Sequence, residues 1–297
     1  MSSGRPFALI VGCGYVGRRL VDRLRAQFDI MATVRTPTSL ASLERSGISA
    51  MLLDLDRVRS NVLLPERLDQ EVIYYLVPPP GTGESDLRID RFLQLATVPP
   101  RTFVYLSTTG VYGDADGAWV DESTRVQPMT DRARRRVSAE EMTRVWCNER
   151  HVRRIVLRVP GIYGPGRLPL ERLRRREPMI DKRDAGISNR IHVDDLVEAC
   201  VRCVTNPEAR GVYNVTDGNA CSATEFAEKV ASIAGLPPPP QVSMEEAQLT
   251  FSPERLSFIS ESRRVSNERM LKHLGVQLKY ADMEAGIRAS LSADSEA

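Results

Sequence analysis

The chain has 297 residues, enough to bury a large core and near the size at which one core gives way to two lobes. Its 41 Lys and Arg nearly balance 39 Asp and Glu, and a net charge of +2 excludes the broad field of a nucleic-acid or membrane binder, leaving a small molecule as the expected partner. Five scattered cysteines suit a reducing compartment better than a disulfide framework; with no signal-peptide pattern and no apolar run of spanning length, a cytoplasmic location is expected.

The first predicted element is a strand over Ala8 to Val11 that breaks into Gly12-x-Gly14-x-x-Gly17. In a strand-turn-helix, Gly12 makes the tight turn, Gly14 lets backbone approach a pyrophosphate and Gly17 lets the helix pack on the strand. Val16, Leu20 and Leu24 then form an apolar helical stripe, and the helix start offers free N–H groups to phosphate. The competing reading is a glycine-rich turn without a ligand.

Ile30 to Val34 reads as the second strand, and it ends in Arg35 where a carboxylate would accept from a ribose 2′-OH. A guanidinium there favours a 2′-phosphate, and hence NADP over NAD. The alternative is a solvated surface arginine. Further strands are expected at Ala50 to Leu53, Val72 to Val77, Thr102 to Ser107 and Arg154 to Val159, with helices between most of them. That alternation predicts an α/β fold, a doubly wound Rossmann sheet with ligands at the carboxyl ends of its strands. Pro78-Pro79-Pro80-Gly81 ends the fourth strand and is placed to line the cofactor.

Helices are expected over Asp86 to Leu95 and Arg132 to Arg150, where Val137, Met142, Val145 and Trp146 supply apolar surface for packing or for pairing with a second copy. The basic runs Arg132 to Arg136 and Arg172 to Arg176 read as solvated helix faces that could also meet anions. Beyond about residue 165 irregular segments mix with helices, and Pro237 to Pro240 forms a stiff connector. The expected organisation is a dinucleotide-binding lobe over residues 1–165, with 189–207 returning to it, and a smaller C-terminal substrate lobe from 166–188 and 208–297. Cys200 and Cys203 read as core side chains within a helix. His151, His192 and His273 do not cluster with cysteines at ligand spacing, so no metal site is expected.

Five blocks then occur in order: the glycine motif, Tyr105 to Asp114 (YLSTTGVYGD), Leu157 to Gly166 (LRVPGIYGPG), Arg190 to Leu196 (RIHVDDL) and Tyr213-Asn214-Val215. Together they resemble the extended short-chain dehydrogenase/reductases, the NAD(P)-dependent epimerase/dehydratase group, across essentially the whole chain. The resemblance implies that Tyr15, Val16, Asp54, Val77, Pro78, Ser107 and Pro160 join Gly12, Gly14, Gly17 and Arg35 around the cofactor. It implies that Thr108 hydrogen-bonds the reacting oxygen, that Tyr112 and Tyr163 are structural, and that paired helices commonly make a homodimer.

The sequence departs from the family where a Tyr-x-x-x-Lys pair normally transfers the proton and binds the nicotinamide ribose. The matching positions are Arg132 and Arg136, with Glu140 where the family often has an acid. Arg132 cannot act as a proton donor near neutral pH, whereas Arg136 could still hold ribose or phosphate. Thr109-Gly110 replaces the Asp-Glu pair of sugar-nucleotide dehydratases, and Ser188 replaces an arginine that grips a diphosphate. A small substrate is therefore favoured over a nucleotide sugar, with Arg183 and Arg190 available to an anion. Asp194 and Asp195 read as an N-cap and a first-turn charge. The leading function is hydride transfer, as reductase or epimerase, on a small polar substrate; the rival is a catalytically silent NADP(H)-binding sensor.

Overall fold

The computed structural model describes residues 4–57, 64–65, 70–259 and 261–295. Seven parallel strands form the central sheet: β1 (Phe7–Val11), β2 (Asp29–Val34), β3 (Ala50–Leu52), β4 (Gln70–Tyr75), β5 (Thr102–Thr108), β6 (Arg153–Val159) and β7 (Gly211–Asn214), in the order β7-β6-β5-β4-β1-β2-β3. The strand order reverses between β1 and β4, which opens a crevice at their carboxyl ends. Through β7 the chain rejoins the sheet beyond the return expected at 189–207.

Alternation along these strands builds two cores. Ala8 and Ile10 of β1, Val72 and Tyr74 of β4, and Val104 and Leu106 of β5 face one side, with α1 (Tyr15–Leu24). Phe7, Leu9 and Val11, Ile73 and Tyr75, and Phe103 and Tyr105 face the other, with α3 (Leu87–Leu95) and α4 (Asp131–Glu149); α2 (Pro37–Arg45) links β2 to β3. Strands buried on both faces read as continuous apolar runs, which is why they stand out in the sequence. The stripe Val16, Leu20, Leu24 is buried as expected. The fourth strand ends at Tyr75, two residues early, because Val77 leaves the ladder to pack against Gly12.

Trp146 departs from the expected pairing surface. It is buried, lies tilted against Phe103 with ring centroids 5.8 Å apart and donates from Nε1 to the Leu93 carbonyl at 3.1 Å. Leu87 and Val145 are the exposed large apolar side chains on α3 and α4. The Arg132 to Arg136 run is likewise not a solvated face: Arg135 is buried with Nη1 on the Gly83 carbonyl at 2.5 Å, and Arg136 donates to the Tyr105 hydroxyl and Leu106 carbonyl at 3.2 and 2.8 Å.

Helix α5 (Val193–Thr205) buries Cys200 and Cys203, and burial pushes the Cys200 thiol up to about 12. Its N-cap is His192, whose Nδ1 accepts from the Asp194 N–H at 3.1 Å, so Asp194 is not the cap that the sequence suggests. Asp195 lies in the first turn, as expected, and turns inward to accept from the Lys279 and Tyr280 backbone at 2.7 and 3.1 Å. The C-terminal part is stitched on by two-residue and three-residue ladders: Gly161–Tyr163 with Arg190–His192, Met179–Ile180 with Gln241–Val242, Ile187–Ser188 with Cys221–Ser222, and Trp119–Val120 with Arg264–Val265. Its own core joins Tyr163 and Leu173 to Phe226, Val230, Met283 and Ile287.

One buried ion pair fixes α4 against the sheet. Glu140 accepts from Arg158 Nε and Nη2 at 3.1 and 2.8 Å and from the Ser107 hydroxyl at 2.5 Å, with the paired side chains 7% and 12% exposed. Burial alone would lower the Arg158 guanidinium, and the carboxylate more than reverses this. Arg158→Met strands a buried carboxylate and is expected to cost about 3 to 5 kcal/mol of unfolding free energy in a denaturant titration. Adding Glu140→Met should restore most of the loss; an unchanged loss would mean that the pair is not what Arg158 contributes.

Candidate functional site

Two cavities lie at the carboxyl edge of the sheet. The first, of about 300 Å³, is lined by Gly12, Cys13, Gly14, Thr33, Val34, Arg35, Ser39, Asp54, Asp56, Val77, Pro78 and Arg88, among others. Gly12 has φ +87°, and a Cβ there would sit 2.7 Å from Val77 Cγ2 and 3.1 Å from the Val77 nitrogen, so the turn admits only glycine. Thr33 holds the turn, its Oγ1 accepting from the Gly12 N–H at 3.2 Å. Gly14 is the N-cap of α1 and supplies no side-chain cap, which leaves the helix start to an external anion. The shape and donors therefore fit a dinucleotide.

Of the expected cofactor residues, Gly12, Gly14, Arg35, Asp54, Val77 and Pro78 line this cavity together. Gly17 packs under it, where a Cβ would lie 3.3 Å from Cys13 Sγ and 3.4 Å from Ile10, and Val16 is buried in the core. The sequence reading missed Arg88, which holds Asp56 with two bonds of 2.7 and 2.6 Å and donates to the Pro78 carbonyl at 2.8 Å. Asp56 sits below the usual carboxylate range because of the Arg88 hydrogen bonds, and Arg35 lies 3.8 Å away.

The second cavity, of about 440 Å³, lies between the strand ends and the C-terminal segments. Thr108, Arg132 and Pro160 line it, and Thr108 Oγ1 accepts from the Gly110 N–H at 3.2 Å, which leaves its own proton to be donated. Burial lowers the Arg132 guanidinium, Glu261 raises it, and Arg263, Arg135 and Arg136 lower it further. Ser107 and Arg136 line neither cavity: the serine is spent on Glu140, and Arg136 braces the end of β5 from behind. Arg183 is also elsewhere, exposed and paired with Asp181 at 2.9 Å.

Arg190 does line the cavity, with its guanidinium 4.3 Å over the Phe226 ring and Nη1 on Ser188 Oγ at 2.9 Å. Arg255 joins it from a short helix, Pro253–Ile259, and Glu261 and Arg263 from the irregular segment that follows, which carries no periodicity to mark them in the sequence. Glu261 pairs with Arg263 at 2.7 Å, and Arg263 also donates to the Gly113 carbonyl.

Tyr15 lines neither cavity but touches the lining of the second through Arg167. Its hydroxyl donates to the Pro165 carbonyl at 2.8 Å, and its ring lies between the guanidinium groups of Arg19 at 4.0 Å and Arg167 at 4.6 Å; Arg167 is at the edge of the second cavity.

A reversed parallel sheet with a glycine turn and an open helix start at its switch point defines a Rossmann-type dinucleotide-binding fold. The model of the NAD dependent epimerase/dehydratase family matches residues 8–216, and the chain belongs to that family. Protein YeeZ of Escherichia coli strain K12 is 25% identical over 283 residues, covering 92% of this chain and 96% of that protein. A functionally unknown conserved protein from Silicibacter pomeroyi superposes with a TM-score of 0.81 at 33% identity, over 98% of this chain and all (100%) of that one. MoeE5 in complex with UDP-glucose and NAD shares the fold, with a TM-score of 0.75 at 20% identity over 98% of this chain and 99% of that one.

Beneath the second cavity, Asp217 is 4% exposed; Oδ1 accepts from the Asn219 N–H at 2.9 Å and Oδ2 has no hydrogen-bond partner among the described residues. Burial raises the carboxyl to about 6, so the folded chain holds the proton more tightly than the unfolded one. Its contribution to stability is therefore lost as pH rises from about 4 through 6. Asp217→Asn should be more stable than wild type above pH 6, by up to about 3 kcal/mol, with the advantage gone below pH 4. Denaturant titrations across that range read the difference directly, and the comparison cancels His192, which burial lowers to about 4 in both proteins.

Proposed function

We propose that the protein is an NADP(H)-dependent oxidoreductase or epimerase acting on a small polar substrate, with Thr108 holding the reacting oxygen. The observation that carries this reading is Thr108 itself. It ends β5, two strands from the glycine turn that follows β1, with a free proton and an arginine-lined cavity before it. A nicotinamide cofactor, such as the NAD in the MoeE5 complex, would supply or accept the hydride there.

In this reading Gly12, Gly14 and the backbone of Tyr15, Val16 and Gly17 hold the pyrophosphate, Asp54, Val77 and Pro78 flank the nucleotide, and Arg35 takes the 2′-phosphate. Pro160 borders the reacting end. Thr108 donates to the substrate oxygen, and the Arg132 charge stabilises negative charge that develops on it. Because a guanidinium does not release its proton near neutral pH, the proton passes through Thr108 and water. Ser107 and Arg136 act as positioning residues, holding the end of β5 through Glu140 and Leu106. Pairing of two copies through α3 and α4, with Leu87 and Val145 at the contact, belongs to the same proposal.

Titration calorimetry should give about ten- to a hundredfold tighter binding of NADPH than NADH, a preference that Arg35→Ala removes. Equal affinities in the wild type would reject the assignment of Arg35. Across a panel of carbonyl compounds, Thr108→Ala should abolish NADPH oxidation with NADPH affinity nearly unchanged. The arginines in place of the Tyr and Lys favour one second reading, a silent NADP(H)-binding module. Tight NADPH binding with no oxidation across the panel, and activity created by Arg132→Tyr with Arg136→Lys, would establish that reading instead.

A further inference from the structure

The second cavity has an unbalanced charge. Arg132, Arg167, Arg172, Arg190, Arg255 and Arg263 line it against a single carboxylate, Glu261. Arg263 is matched by Glu261 and Arg172 by Glu177 at 2.9 Å, but Arg190 and Arg255 have no carboxylate within 4.0 Å among the described residues. Burial is the largest influence on both guanidinium groups and lowers them, outweighing the opposing effect of Asp217 on Arg190 and of Glu177 on Arg255. Both are also held in place: Arg190 over Phe226, Arg255 over Phe251 at 3.5 Å with Nη2 on the Pro178 carbonyl. Fixed, half-buried guanidinium groups present paired donors to an oxyanion without first losing rotamer freedom.

Their placement relates the anion to the reacting centre. Thr108 and Val159 are register partners on β5 and β6. Arg190 approaches the chain just beyond Val159, its Cγ 3.9 Å from where a Cβ of Gly161 would be. Arg263 Nη2 stands 3.9 Å from the equivalent point on Gly110, just beyond Thr108. Arg190 and Arg263 therefore reach the segments just beyond these two strand ends, in the cavity that Thr108 also lines. Glu261 adds the complementary demand: its Oε1 is buried, faces no donor among the described residues and calls for a hydroxyl. Of the aromatic rings in the cavity lining, Phe226 and Phe251 each already carry a guanidinium and Tyr163 packs edge-on against Phe226 at 5.6 Å, which disfavours stacking of a nucleotide base.

We propose that this cavity binds a compact, hydroxylated oxyanion, a sugar acid or sugar phosphate without a nucleotide, anchored by Arg190 and Arg255. The inference rests on the reading of this cavity as the substrate site. Calorimetry at constant ionic strength, with and without NADPH, tests gluconate, glucose 6-phosphate, neutral sorbitol and UDP-glucose against wild type, Arg190→Gln and Arg255→Gln. Gluconate or glucose 6-phosphate should bind, the stronger of the two identifying carboxylate or phosphate, and sorbitol should not. Each variant should weaken that binding about ten- to a hundredfold while leaving NADPH affinity unchanged, which also shows that the variant is folded. Should Arg190→Gln fail to fold, Arg255→Gln alone decides. Equal binding of sorbitol, no binding of either anion, undiminished binding by the variants, or tighter binding of UDP-glucose than of both anions would each overturn the proposal. Loss of NADPH binding in the wild type would instead count against the proposed function, and the arms without NADPH would still decide the anion.

Discussion

The geometry of the site depends on the buried contact of Glu140 with Arg158 and Ser107. Positions 132, 136 and 140 fall at i, i+4 and i+8 on α4 and so share one face of the helix. Glu140 fastens the far end of that face to β5 and β6, Arg136 fastens the middle to the Leu106 carbonyl, and Arg132 is thereby delivered to the cavity beyond the strand ends. A rotation of α4 by one residue would swing all three away together. The ion pair costs desolvation of both charges, and what it secures is the orientation of the helix on the sheet.

Residues whose role follows from local chain geometry were readable in the sequence. The glycine turn, the stripe Val16, Leu20, Leu24 and the strands β1, β5 and β6 are dictated by backbone conformation and by burial on both faces, and each lies where its pattern indicates. Residues whose role depends on which way a long side chain turns were not. The run Arg132 to Arg136 has the composition of a wet surface, yet three of its arginines reach inward because carbonyls, a tyrosine hydroxyl and a cavity await them. Arg183 and Arg190 looked alike as anion ligands, and only Arg190 faces the cavity, since Asp181 claims the other. Glu261 and Arg263 reach the site through an irregular segment that carries no periodicity to read.

The choice of cation is itself informative. The chain's lysines are Lys182, Lys229, Lys272 and Lys279, and none of them lines the arginine-rich cavity. Guanidinium groups can be laid flat on Phe226, Phe251, Tyr15 and Tyr112 in a way that a compact, strongly hydrated ammonium cannot. The family's lysine position is occupied by Arg136, which reaches a carbonyl and a phenol at once. The chain thus uses arginine as a packing residue that happens to be charged, and its near-neutral total conceals a strongly positive interior surface.

The Tyr15 hydrogen bond ties two distant parts of the chain, 150 residues apart in sequence. Tyr15 opens the helix that starts at the first cavity, and the same side chain donates to Pro165 and stacks on Arg167, which lines the second. Gly164 lies so close that a Cβ there would come within 2.7 Å of the Tyr15 oxygen, so the loop follows the ring closely. The start of α1 and the loop at Pro165 are thus tied through one side chain, so neither can shift without disturbing the contacts of the other.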